Sequence, residues 1–189
     1  CLIYSLAVSN GSENGINTFG RSTKFDLNGA FLSEDLVLYR LSKKGNLLSF
    51  RIHNSLLAPY SLHKRMITWQ NDDTQFIIKS SRKFSIFDGA NGKLKGVVQP
   101  KYRDFEYVHE VEQIDADHFV VSLLDSGREY IGVLIGCNAQ GDVLWERSDL
   151  LMSSRSGGRL QRVWNNQNLF VNANDGIHEF DPISGKDED

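Results

Sequence analysis

Short apolar runs alternate with polar, glycine-containing turns along most of the chain. Some runs are continuously apolar, such as Tyr130-Ile131-Gly132-Val133-Leu134-Ile135, whereas others alternate, such as Phe84-Ser85-Ile86. Continuous runs are typical of strands that are covered on both faces, and alternating runs are typical of half-exposed strands. The pattern therefore predicts an all-β fold, with a single helical turn near residues 148–152.

One hairpin layout recurs four times, with a polar residue, a glycine turn and a following strand. The best example runs from Asn138 through Gly141 to Trp145, and the four turn glycines are Gly45, Gly92, Gly141 and Gly185. They are separated by 47, 49 and 44 residues, which is the period of a repeated four-stranded unit. Asp or Asn at the start of a turn accepts local backbone hydrogen bonds, and Gly supplies the positive φ that closes it.

The spacing predicts about fourteen strands, grouped as three, four, four and three. Such a series matches the four-stranded antiparallel blades of a β-propeller, and residues 1–189 are expected to form one domain of about 3.5–4 blades. Two arrangements are open, a part of a larger propeller, which is favoured, or four blades that close tightly. The Gly/Asn/Ser-rich residues 10–34 are expected to be a loop insertion within the first blade, either a surface insertion or a binding loop.

Composition and short sequence patterns limit the possible binding partners and the cellular location of the protein. The net charge of −3 argues against a general nucleic-acid binder, and no apolar run is long enough for a transmembrane segment. Of the two cysteines, Cys137 is expected to be a small buried residue in a strand, with a bond to Cys1 as the alternative. Asn10-Gly11-Ser12 fits the N-glycosylation pattern, which favours an extracytoplasmic or secreted location.

The hairpins at Asn138–Trp145 and Asp181–Lys186 resemble the repeats of pyrroloquinoline-quinone-like propellers. Together with Val108-His109-Glu110-Val111, they also resemble arylsulfotransferase-like propellers. The resemblance implies that Gly141 reverses the chain and that Trp145 wedges against the next blade. Only one of the four turns is followed by such a tryptophan, so we expect no quinone and no other cofactor.

Three basic residues take equivalent places at the entries of the predicted inner strands. They are Lys64, His109 and Arg159, and a ring of them at one mouth of the channel would attract an anion such as sulfate, phosphate or carboxylate. The resemblance to arylsulfotransferase-like enzymes implies that His109 carries the sulfuryl group. The alternative is that these residues are solvated at strand entries, with His109 bonded to a backbone carbonyl.

The remaining candidates favour structural roles. Glu110 and Glu112 are two residues apart and could pair with Arg162 on the neighbouring blade. The sequence contains no metal-ligand spacing, no phosphate-binding glycine loop and no nucleophile elbow. The sequence therefore favours a non-catalytic propeller module that binds a protein or a small anionic ligand at the channel mouth. The alternatives are an arylsulfotransferase-like enzyme and a purely structural scaffold.

Overall fold

A computed structural model shows strands and turns, and no helix, over the residues that it describes. It describes residues 8–10, 16–25, 31–41, 47–52, 67–70, 74–103, 105, 107–125, 131–152, 159–162 and 168–187. The side chains in residues 8–70 and those of residues 125, 131, 151, 152, 159 and 162 are outside this description. The prediction of an all-β chain is confirmed for the described part, where the strands form antiparallel sheets of three or four.

The first sheet contains four strands in the order β1-β2-β3-β4. Their bounds are Val8–Asn10, Ile16–Phe25, Phe31–Leu41 and Leu47–Ile52. The long pair β2 and β3 is antiparallel, and its register runs from Ile16 opposite Leu41 to Phe25 opposite Phe31.

Within residues 10–34, where a loop insertion with at most a short strand was predicted, β2 occupies ten residues and β3 begins. Ile16, Thr18 and Phe19 favour a strand, and the pairing with β3 provides hydrogen-bond partners for the backbone of the polar residues between them. The turn dipeptides Asn14-Gly15 and Asn28-Gly29 stand just outside the two ends of β2 in the sequence. The many Gly, Asn and Ser residues of this segment suggested a loop, although the residues between the two dipeptides form a strand.

The second sheet has the order β5-β6-β7-β8. Its strands are Ile67–Gln70, Gln75–Lys79, Phe84–Asp88 and Leu94–Val98. The central strands β6 and β7 are buried on both faces, and the rings of Phe76 and Phe87 stack with their centroids 5.1 Å apart. The strand β8 forms one edge of this sheet and is largely exposed.

The third sheet has the order β9-β10-β11-β12. Its strands are Tyr107–Gln113, His118–Asp125, Ile131–Asn138 and Val143–Met152. The strand β12 covers the segment for which a helical turn was predicted, so that prediction is wrong. Leu150 in this segment is buried in the core, and extended pairing with β11 continues to Met152.

The fourth sheet has three strands in the order β13-β14-β15. They are Arg159–Arg162, Leu169–Ala173 and Gly176–Phe180. After the turn that follows β15, Asp187 forms an isolated antiparallel bridge with Phe180. The three last sheets match the predicted grouping of four, four and three strands, whereas the first sheet has one strand more than predicted.

The chain divides into two compact units. The first consists of Cys1–Ile78 with Ile86–Gly96, and the second consists of Lys79–Ser85 with Val97–Asp189. In the second unit, the third and fourth sheets share an apolar core made by Val120, Leu134, Leu150, Leu169, Val171, Ala173 and Phe180. Cys137 is buried with a free thiol, as expected. Among the described residues, no helix has the length and apolar character needed to cross a membrane.

Candidate functional site

Three hairpin turns have the predicted chemistry. Each starts with an Asp or Asn whose side chain accepts backbone hydrogen bonds within the turn, at Asp88, Asn138 and Asp181. Each contains a glycine with positive φ, at Gly92 (69°), Gly141 (81°) and Gly185 (72°). The prediction of a repeated turn is confirmed at these three places, and Gly45 lies outside the described residues.

Trp145 on β12 connects the third sheet to the turn Asp181–Lys186, which follows the last strand of the fourth sheet and is called the turn of the fourth sheet below. Its indole N–H donates a hydrogen bond of 3.1 Å to the carbonyl oxygen of Pro182, and its ring meets Phe180 edge-on at 5.9 Å between centroids. Gly136 and Gly185 leave the room for the indole, because a Cβ on either would collide with it. Trp145 therefore packs against the turn that follows the fourth sheet; that this sheet is the next blade of a propeller stays a prediction.

Arg147, two residues after Trp145, clamps the same turn. Its guanidinium donates to both carboxylate oxygens of Asp149, to both of Asp187 and to the carbonyl oxygen of Gly185. These hydrogen bonds use all five N–H groups of the arginine. They raise the pKa of Arg147 above its ordinary value and lower that of Asp149 below its own. The turn of the fourth sheet is thus held by an aromatic ring and by a guanidinium whose N–H groups all donate hydrogen bonds.

The turn of the third sheet docks in a similar way on the segment that follows β8. The amide of Lys101 donates to the carbonyl oxygen of Gly141 at 2.7 Å, and an added Cβ on Gly141 would meet the carbonyl of Gln99. The ammonium of Lys101 also binds Asp142 at 2.7 Å, which lowers the pKa of that carboxyl. Both glycine turns of the second unit therefore rest on chain that precedes their own sheet.

On the strand β9, at one edge of the third sheet, His109 is the extra residue of a β-bulge. Ser122 of β10 lies opposite Glu110, whereas the next residue, Leu123, lies opposite Val108. A bulge takes a residue out of the regular ladder and is frequent next to functional sites. His109, which the sequence proposes as a candidate site residue, therefore lies at a distorted position of the edge strand β9.

The bulge is held by Lys79, the last residue of β6. The side chain of Lys79 is only 3% exposed, and its ammonium donates to the carbonyl oxygen of His109 at 2.6 Å and to the carboxylate of Glu110 at 3.0 Å. A buried ammonium needs such acceptors, because an unpaired buried charge is strongly destabilising. Glu110 thus pairs with Lys79; the predicted partner, Arg162, has its side chain outside the described residues.

Close to the bulge, the hydroxyl of Ser122 is fully buried without a hydrogen-bond partner among the described residues. Ser122 lies directly opposite Glu110, so the two side chains emerge on the same face of the sheet. The β9 edge of the third sheet therefore brings together a buried ion pair, a bulge and a hydroxyl without a described partner.

The structure describes only part of the predicted ring of three basic residues. His109 lies in the bulge of β9, and Arg159 begins β13, a strand that lies beside β9. The side chain of Arg159 and all of Lys64 lie outside the described residues, so the ring remains a prediction. Within the described part, no group of three or more His, Cys, Asp or Glu side chains could hold a metal ion.

Sequence reasoning missed Lys79 and Arg147. Lys79 ends an apolar run, a position at which lysine is usually solvated, and its burial depends on residues 30 and 31 positions away. Arg147 follows Trp145 by two residues on a strand, which places both side chains on one face. That spacing is the signal that could have identified Arg147 as a second docking residue.

Comparison with known proteins does not assign the chain to a family. No protein-family model matches the chain. No curated protein matches it with significant similarity.

Proposed function

We propose that the sheets are blades of a β-propeller and that the chain is a non-catalytic binding module for a protein or a small anionic ligand. The observation that carries this proposal is the docking of the glycine turn of the fourth sheet on Trp145 and Arg147. This contact repeats, with different residues, where Gly141 meets Gln99. Repeated docking of a glycine turn on the chain that precedes its own sheet is a property of blades that pack around an axis.

The packing inside the second unit supports the same architecture. The innermost strands β9 and β13 lie side by side, and β12 contacts β14 across the shared apolar core. Consecutive sheets that stack face to face with their first strands adjacent are what a propeller requires.

The bonding at the inner strand supports binding rather than catalysis. The ammonium of Lys79 already binds the His109 carbonyl and the Glu110 carboxylate. A lysine in this arrangement neutralises a carboxylate and holds a bulge in place. The inner strand is therefore built as a rigid support for residues that contact a ligand.

The arylsulfotransferase-like reading stays as the rival, with His109 as the nucleophile. We would incubate the chain with p-nitrophenyl sulfate and a phenol acceptor and follow the release of p-nitrophenol. In parallel, inorganic sulfate would be titrated into isotopically labelled protein while the amide NMR signals are recorded. We expect no sulfuryl transfer, and we expect saturable shifts at β9 and β13 if the ligand is an anion.

His109→Ala and His178→Ala serve as matched variants, because His178 lies on the outermost described strand of the fourth sheet, bound to Asp175. Transfer of the sulfuryl group that disappears in His109→Ala and persists in His178→Ala would overturn the non-catalytic proposal.

A further inference from the structure

The sequence around the edge strand β8 of the second sheet is rich in basic residues. From residue 79 to residue 103 the sequence has one acidic residue, Asp88, against the seven basic residues Lys79, Arg82, Lys83, Lys93, Lys95, Lys101 and Arg103. Lys93 and Lys95 are both exposed; Lys95 lies in the edge strand β8, and Lys93 directly precedes this strand. The carbonyl oxygen of Lys93 accepts a hydrogen bond of 2.8 Å from the amide of Asp88, the last residue of β7, so the pairing of β7 with β8 extends to Lys93. Because Lys93 and Lys95 are two residues apart in this paired segment, their side chains lie on the same face.

These two charges are not neutralised within the described part of the chain. Neither Lys93 nor Lys95 forms an ion pair there, whereas Lys79, Lys101 and Arg147 are all paired with carboxylates. The nearest acidic residue along the chain, Asp88, uses its carboxylate to accept the amides of Ala90 and Asn91. The edge therefore has positive charge to offer to a partner.

The backbone of this edge is also accessible. Leu94 is 41% exposed, and a Cβ built on Gly96 would meet nothing within 4 Å. As the last strand in the order of its sheet, β8 has only β7 as a neighbour among the described strands. An edge strand with unpaired N–H and C=O groups is a template for another extended chain.

We propose that the β8 edge, defined by Lys93, Leu94, Lys95 and Gly96, binds an extended acidic polypeptide segment by strand addition. Charge complementarity selects this occupant, because Lys93 and Lys95 attract carboxylates at alternate positions of the added strand. The same two lysines repel the equivalent strand of a second copy of this chain, which disfavours self-pairing. The inference names a partner for the binding function proposed above and rests on it.

The test measures the binding of a short, capped, fluorescent peptide that alternates Glu and Val. Fluorescence anisotropy gives its affinity for the full chain, and hydrogen exchange of the β8 amides reports whether a strand has been added. We expect saturable binding that protects the outward amides of β8 and weakens as the salt concentration rises. A peptide of the same charge with proline at alternate positions is expected to bind at least about tenfold more weakly, since it lacks backbone donors.

The variant Lys93→Glu/Lys95→Glu is expected to weaken binding by about tenfold or more, because two attractive pairs become repulsive. Its matched control is Lys83→Glu/Lys186→Glu, which makes the same change in net charge at two exposed lysines outside β8. We expect this control to stay within about threefold of the parent chain.

Several results would overturn the inference. They are the absence of binding, equal affinity for the proline peptide, and equal weakening by the two double variants. Tighter binding of heparin than of the peptide, lost in Lys93→Glu/Lys95→Glu, would assign the edge to polyanions instead. None of these outcomes touches the binding function itself, which falls only if His109-dependent sulfuryl transfer is observed.

Discussion

The contact between Gly185 and Trp145 gives the sharpest test of how the sheets are joined. Gly185 has φ of +72°, and a Cβ at this position would lie 2.6 Å from Cδ2 and Cε3 of the Trp145 indole. The backbone of the turn is fixed by the hydrogen bonds from Gly185 to Asp181 and from Asp181 to Lys186. The methyl group of an alanine would therefore have to displace the indole.

The expected loss for Gly185→Ala has two parts. The left-handed conformation costs about 1 kcal/mol for a residue with a Cβ. Displacement of the indole weakens its hydrogen bond to Pro182, worth about 1 kcal/mol, and its edge-on contact with Phe180, worth about 1 kcal/mol. We expect the free energy of unfolding to fall by about 3 kcal/mol in total.

A double-mutant cycle separates the two parts. In a Trp145→Ala background the added methyl has room, so Gly185→Ala should cost only the strain of about 1 kcal/mol. Urea unfolding followed by far-ultraviolet circular dichroism measures all four proteins. Gly176→Ala is the control, because its φ is +147° and nothing lies within 4 Å of its Cβ, so its effect should be independent of Trp145. Equal losses for Gly185→Ala in both backgrounds would refute the indole contact as the cause.

Three further predictions concern buried groups. Lys79→Met should lower the free energy of unfolding by about 3 kcal/mol in urea titrations, because it leaves the Glu110 carboxylate and the His109 carbonyl without their ammonium; a loss below that of Glu110→Gln would contradict this role. Ser122→Ala should raise the free energy of unfolding by about 1 kcal/mol, since it removes a buried hydroxyl without a described partner; a decrease would mean that the hydroxyl is satisfied. Burial raises the pKa of Cys137 from 9.0 to about 12, so its contribution to stability is complete below the unfolded pKa and is lost as the pH rises from 9 towards 12. Iodoacetamide should accordingly label Cys137 only as urea unfolds the chain, and peptide mass spectrometry that found fast labelling without urea would disprove this burial.

The repeated hairpins could be predicted because their chemistry is local. The carboxylate of Asp181 accepts hydrogen bonds from Ile183, Ser184 and the Ser184 hydroxyl, and the positive φ of Gly185 follows within the same turn. These contacts also hold the pKa of Asp181 below its usual range. Five or six consecutive residues contain the whole signal, so sequence alone identified the turn and its period.

The features that sequence missed depend on residues far away in the chain. The polar strand β2 has its backbone partners on β3, and the burial of Lys79 depends on Glu110. Arg147 and Asp187 are 40 residues apart and meet only when the turn of the fourth sheet is in place. Hydrophobic periodicity contains no information about such pairs, because it reports which face of an element is apolar and not which element covers it.

The docking of glycine turns in the second unit has a direction with consequences for synthesis on the ribosome. The turn of each sheet rests on chain that was made earlier, as Gly141 does on Gln99 and Gly185 does on Trp145. During synthesis, the last strand of a sheet would therefore remain exposed until the next hairpin had been translated. Pro182 is translated about forty residues after Trp145, which takes some seconds at usual elongation rates. Each new hairpin would stabilise the sheet before it, so assembly would proceed in order from the amino-terminal side. A pause in translation just after β12 would leave Trp145 and Arg147 without their partners.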